Sequence, residues 1–128
     1  MSRPTPSATE SLGVRWVGAI EARDRTALRN LVATPVQFRA VTPRRFWDAE
    51  TPTEVADIVL GTWFDESKKV TDVSLVEDDT VGEVSKISYR MSVATESGPT
   101  VVEQVAYCSV CDDRITHVRL VCSGFQSV

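Results

Sequence analysis

The sequence is poor in the residues from which active sites are most often assembled. It has a single histidine, His117, so there is no second imidazole for a metal site or a nucleophile triad. Three cysteines, Cys108, Cys111 and Cys122, make an odd number. That argues against a disulfide framework and for a reducing, cytoplasmic setting. No apolar run approaches the ~20 residues of a membrane span, so no membrane partner is expected. There is no phosphate-cradling GxxxxGK, no GxGxxG and no GxSxG. Positive charge is not in excess either: the formal net charge is −4, which argues against nucleic acid as a partner. Arg44-Arg45 and Lys68-Lys69 are too short to form a basic patch. Met1 to Ser7 contains two prolines and one arginine but no hydrophobic stretch. It reads as a disordered tail rather than a secretory signal. Neither a metal nor a cofactor is expected.

What remains is an ordinary globular composition. The chain has 128 residues, 42% hydrophobic and 25% charged, with no internal repeat and no linker, so residues 8–128 are expected to form one domain. The most regular pattern lies between Val70 and Phe125. Apolar residues occupy every second position in Ile87-Ser88-Tyr89-Arg90-Met91-Ser92-Val93, the period of a half-buried strand. Turn residues punctuate the stretch at Glu77 to Gly82, at Ser97-Gly98-Pro99 and at Asp112-Asp113. Four long antiparallel strands follow.

The cover for that sheet must come from residues 8–64. Ser7 and Glu10 have capping-box spacing, and Leu12, Trp16, Ala19, Ile20 and Arg23 share one helical stripe. A first helix is predicted from Ala8 to Arg23. Asp24 can cap a second, with Ala27, Leu28, Leu31 and Val32 as its apolar face and Pro35 as its end. Val36 to Val41 alternates as a strand, Pro43 breaks it, and Arg44 to Asp48 can return beside it. Thr51 or Thr53 opens a third helix, with Pro52 suited to its first turn and Val55, Ile58, Val59, Thr62 and Trp63 on one face. The fold class predicted is α+β: three N-terminal helices packed on one face of a curved antiparallel sheet, a cone-shaped roll with a hollow at its open end.

This order of elements resembles the nuclear transport factor 2-like superfamily, which includes ketosteroid isomerases, SnoaL-like polyketide cyclases and limonene epoxide hydrolases. The likeness runs from about Ala8 to Phe125. Its most suggestive segment is Tyr107 to Leu120, similar to the family's last hairpin in its aromatic strand, acidic turn, basic residue and alternating Arg and aliphatic residues. The resemblance implies a pocket between sheet and helices, a small apolar ligand, and a homodimer through the outer sheet face. The expected lining is Trp16, Ile20, Phe38, Trp47, Val59, Trp63, Tyr89, Tyr107 and Leu120.

The chemistry of the isomerase-like members needs a carboxylate base and a tyrosine with a protonated acid around an oxyanion. Trp16 stands where that tyrosine would sit, and Phe38-Arg39 stand where an acid would, so the set does not match. Candidate acid or base groups are Asp48, Asp57, Tyr89, Glu103 and His117. Arg90, Glu103 and Arg119 either surround a water or form a cross-strand ion ladder. Cys108-x-x-Cys111 is not a zinc or redox site, because positions three apart in a strand project to opposite faces. A two-residue turn at Asp112-Asp113 would place Tyr107 opposite Val118 and Val105 opposite Leu120, both inward, and His117 outward. A bulge in that hairpin would turn Gln104 and Cys108 inward instead. A third expectation is a structural partner surface, with Val105 and Val121 interleaved with Arg90 and Arg119 on the outer face. The reading that these residues favour is a small-molecule-binding protein; an enzyme of the cyclase, isomerase or epoxide hydrolase kind is the alternative.

Overall fold

A computed structural model describes residues 11–128. The Ser7–Glu10 capping box and the tail before it lie outside the described residues. The first described helix, α1, spans Leu12–Glu21 and is capped by Ser11, whose hydroxyl accepts from the Val14 N–H. Asp24 caps α2 (Arg25–Asn30) as expected, accepting from the Ala27 N–H. Pro35 does not end that helix. Strand β1 already begins at Val32 and runs to Thr42, so Val32 belongs to the sheet. Pro35 instead sits where β1 loses register, and there the Val36 N–H turns to the Glu50 carbonyl. A proline supplies no donor, which suits an interruption in a ladder.

β2 (Arg45–Ala49) returns beside β1, and Thr51 caps α3 (Pro52–Ile58) with Pro52 in its first turn. The helix does not continue in α form: Val59–Trp63 make a π-helical turn, closed by Phe64 N–H to Val59 O. The long strands follow as β3 (Lys69–Val81), β4 (Val84–Thr95), β5 (Gly98–Cys111) and β6 (Arg114–Cys122), with a short β7 (Gln126–Ser127). The acidic run from Glu77 was expected to be a turn, but β3 passes through it and turns at Gly82-Glu83.

The sheet order is β2-β1-β6-β5-β4-β3, with β7 pairing β5. It is large and curved, and mixed rather than wholly antiparallel, because β1 pairs with β6 in parallel. Two register shifts in β3 and one between β5 and β6 add twist and bend. Burial alternates along the strands as the period-2 pattern requires: Ile87, Tyr89, Met91 and Val93 are buried on β4, Phe38 and Ala40 on β1. α1 lies against β3 and β4 and buries Trp16, Val17, Ala19 and Ile20. Its entry is tight. A Cβ on Gly13 would stand 2.7 Å from the Asp78 carboxylate, which accepts the Gly13 N–H at 3.2 Å. That carboxylate also sits favourably at the positive end of the helix. Among the described residues no helix is long and apolar enough to cross a membrane.

Candidate ligand site

The interior is built mainly from aromatic and aliphatic side chains. Trp16, Ile20, Phe38, Val59, Trp63, Tyr89 and Leu120 are all buried in one core cluster. Phe38 and Trp63 stack at 6.0 Å, and Trp47 meets Trp63 edge-on at 5.8 Å. Trp47 is only half-buried; the Arg45 guanidinium lies 3.7 Å over its ring and its indole donates to Thr42 Oγ1 at 2.8 Å. Arg45 is thus held by an aromatic face at the edge of the core.

Tyr107 is not part of this lining. Between β5 and β6 the pairing shifts by one residue, from Val110 opposite Ile115 to Ser109 opposite His117. Thr116 is the extra residue, and its hydroxyl donates to the Ser109 carbonyl at 3.2 Å. The shift reverses the expected facing of β5. Tyr107 now lies opposite Arg119 and Val105 opposite Val121, on the outer side, while Cys108 and Gln104 turn inward and are 2% and 1% exposed.

The inward turn of Gln104 completes a polar chain in the core. The Trp16 indole N–H donates to the Tyr89 hydroxyl oxygen at 2.8 Å, and Tyr89 donates onward to Gln104 Oε1. Burial pushes the Tyr89 hydroxyl pKa upward, more than the Trp16 hydrogen bond pulls it down, so it stays a neutral donor. Burial likewise pushes the Cys108 thiol up to about 12, helped by the Asp78 carboxylate. Among the described residues the buried side-chain donors without a partner are Gln104 Nε2, Trp63 Nε1 and, on α1, Arg15 Nε. A polar residue at an inward strand position was the sequence signal for Gln104, visible only once the bulge is allowed.

The other candidate groups are scattered over the surface. Asp57 pairs with Arg25, Asp48 with Arg39 at 3.6 Å, and Glu103 with Arg90 at 2.8 Å; all are exposed. His117 is exposed on the outer side and shares a 3.0 Å contact with Thr116 Oγ1. Arg119 does not join the Arg90–Glu103 pair and donates instead to the Val118 and Gln37 carbonyls. Of the five acid–base candidates, Tyr89 alone is in the interior. Cys108 and Cys122 face in while Cys111 and His117 face out, so these four do not converge on a metal.

Open space lies around the core. A groove of about 590 Å³ runs between α1 and α2 over Gly18, Ala22 and Ala27, and one of about 560 Å³ lies on the outer sheet face between Phe46, Tyr107 and Val121. A smaller one of about 300 Å³ adjoins Trp47 and Ile58.

A helical N-terminus, a strand pair, a third helix and a curved antiparallel meander around an aromatic core define the nuclear transport factor 2-like, ketosteroid isomerase-like fold, and the chain has it. Among solved structures it is similar to a protein with a ketosteroid isomerase-like fold from Catenulispora acidiphila in complex with trimethylamine (14% identity, TM-score 0.71, covering 89% of this chain and 88% of that one). It is also similar to an LEH-like epoxide hydrolase from M. tuberculosis (12%, TM-score 0.66, 85% and 77%). A third likeness is to a protein from the de novo design of diverse pocket structures (14%, TM-score 0.64, 83% and 90%). No protein-family model matches the sequence, and no curated protein matches it.

Proposed function

We propose that the protein binds a small apolar molecule between its helices and the concave face of its sheet, and that it does not catalyse a reaction. The observation that carries this reading is the interior itself: aromatic, uncharged, and threaded by a Trp16–Tyr89–Gln104 chain that ends in an unpartnered amide. Acid–base catalysis needs a titratable side chain within hydrogen-bond reach of the reacting atoms. Here Asp48, Asp57, Glu103 and His117 lie at the surface, away from Tyr89. That separation is why the enzymatic alternative is the weaker one. The free thiols suit a reducing, cytoplasmic compartment. Flat hydrophobic compounds at a hundredfold excess over their Kd should stabilise the protein by about 2.7 kcal/mol, a rise in Tm of several degrees. Chemical conversion of any bound compound, or no stabilisation across a broad apolar set, overturns the reading.

A second reading concerns assembly. The outer face carries a row of apolar side chains in register across four strands: Phe46, Val41, Val121 and Val105, with Phe46 80% and Val121 58% exposed. A second copy of the chain would cover that row, flanked by the Arg39–Asp48 pair. Sedimentation equilibrium tests it: a dimer that Val121→Glu splits supports the interface, and a monomer throughout the micromolar range removes it.

A further inference from the structure

We propose that the groove on the outer face of the sheet is a site for a small organic anion, a planar carboxylate carried on an apolar body, and that Arg119 receives the carboxylate. The site is separate from the interior and does not depend on the binding reading above. It is a cleft of about 560 Å³, a size that holds small molecules. Its walls are of two kinds, because two different rows of side chains cross the strands there. One row is apolar: Phe46 on β2, Val41 on β1 and Val121 on β6. The next row, two residues along each strand, is polar: Asp48, Arg39, Arg119 and, on β5, Tyr107. Every one of these side chains is exposed, so a ligand reaches them from solvent without any movement of the core.

The polar row carries an uncompensated positive charge. Arg39 and Arg119 stand directly opposite each other on neighbouring strands, a placement that costs stability when the charges are alike. The row has one carboxylate, Asp48, and it lies 3.6 Å from Arg39 Nε. Among the described residues no carboxylate pairs with Arg119. Its Nη1 donates to the Val118 and Gln37 carbonyls at 2.9 and 3.3 Å, which fixes the guanidinium against the sheet. Nη2 reaches only Gln37 Oε1, at 3.5 Å, and Nε donates to nothing. Arg90, on the same face, shows what that edge does when it is filled: its Nε and Nη2 both donate to the Glu103 carboxylate. Arg119 holds the same two donors beside the groove, in a chain whose net charge is −4, so the positive charge is local to this site. A guanidinium takes a planar carboxylate side-on through such a pair. The ligand's apolar body then lies along Val41, Phe46 and Val121, with the Tyr107 ring as a side wall. A neutral analogue loses the charge-assisted bonds, a cation is repelled, and acetate lacks the apolar area. A second copy of the chain would cover the same row, so ligand and second copy compete for it.

The test titrates the whole chain with 2-naphthoate, 2-naphthamide, naphthalene and acetate by calorimetry. 2-Naphthoate is expected to bind at least about tenfold tighter than the amide, with acetate the weakest of the anions. Arg119→Gln should weaken 2-naphthoate by about tenfold or more and leave naphthalene unchanged. Arg90→Gln removes the same charge from the same face outside the groove, and should move the 2-naphthoate Kd by less than about twofold. Asp48→Asn removes the competing carboxylate and should tighten 2-naphthoate. All three positions are exposed, and circular dichroism checks that each variant is folded. Equal affinities for the naphthoate and the naphthamide overturn the ligand class. Equal losses in Arg119→Gln and Arg90→Gln, or no loss in Arg119→Gln, overturn the site. A dimer that Val121→Glu splits, together with no binding of 2-naphthoate to either form, overturns the proposal as well and gives the face to the second copy. The wild-type ranking decides the ligand class even if no variant folds. Naphthalene reports on the interior separately, so the interior reading and this one fail independently.

Discussion

Glu103 and Gln104 are neighbours on β5 and live in opposite surroundings. Glu103 is half exposed and its carboxylate takes two N–H groups from Arg90, directly across the outer face on β4. Gln104 points the other way, 1% exposed, and its carbonyl takes the proton of a buried tyrosine. The contrast extends over the whole sheet. The outer side holds Arg39 with Asp48, Lys86 with Glu77, and His117. Apart from the Asp78 carboxylate under the start of α1, the inner side keeps its polarity in Trp16, Tyr89, Gln104 and Thr100, whose hydroxyl donates to the Val93 carbonyl. A strand gives each face every second residue, so one sheet can separate charge from hydrogen bonding without any insertion. This places most of the charged side chains where solvent screens them.

The sharpest way to break the comparison uses one residue type on both faces. Phe38 is 1% exposed and stacked on Trp63, whereas Phe46, on the neighbouring strand, is 80% exposed. Phe38→Ala should cost about 3–5 kcal/mol through lost burial and the cavity it leaves. Phe46→Ala should change stability by about 0.5 kcal/mol or less when measured on the monomer. Urea unfolding of the two variants decides; equal losses would mean that the outer row is buried by something in solution.

A smaller effect follows from the raised pKa values. Tyr89 and Cys108 are neutral when protonated, and both hold their protons more tightly folded than unfolded, chiefly because burial disfavours the anion. Their contribution to stability is therefore complete below the unfolded values, 9.0 for the thiol, and is lost as pH climbs toward the folded value of about 12. Each group can remove up to about 1.4 kcal/mol per pH unit in that window. The urea midpoint should hold to pH 8 and fall between pH 9 and 11, with Cys108→Ala falling less steeply. A flat profile to pH 11 would show that water reaches these groups.

How much of this the sequence carried depends on how local the cause was. Ile87 to Val93 could be read at once, because alternation is a property of adjacent residues, and Asp24 and Thr51 cap helices three residues from where they act. The parallel pairing of β1 with β6 joins residues some eighty positions apart, and nothing in either strand marks the partner. The facing of β5 turned on a single extra residue, Thr116. Without it Tyr107 would face the interior and Gln104 would meet solvent, which is why the buried aromatic residues could be read from the pattern while the facing of Gln104 hung on whether the hairpin carried a bulge. The surface positions of Asp48 and Asp57 follow from the same limit: alternation tells which residues share a face, not which face is covered.

The smallest expected effect is on the outer side, and it calibrates the rest. Arg90 Nε and Nη2 reach one oxygen of Glu103 at 3.1 and 2.8 Å, a well-formed pair between residues directly opposite in the ladder. Yet both side chains are more than half exposed. Water competes for each charge, and ordering two long side chains takes back much of the Coulomb gain, so the coupling should be about 0.2–1 kcal/mol. A double-mutant cycle with Arg90→Ala and Glu103→Ala measures it, and 0.5 M salt should shrink it further. By contrast Tyr89→Phe strips the partner from both Trp16 Nε1 and Gln104 Oε1, where no water can substitute, and the larger loss belongs there although no charge is involved. A coupling at Arg90–Glu103 above about 2 kcal/mol would mean that the pair is dehydrated in solution, and the outer face would then have to be an interface.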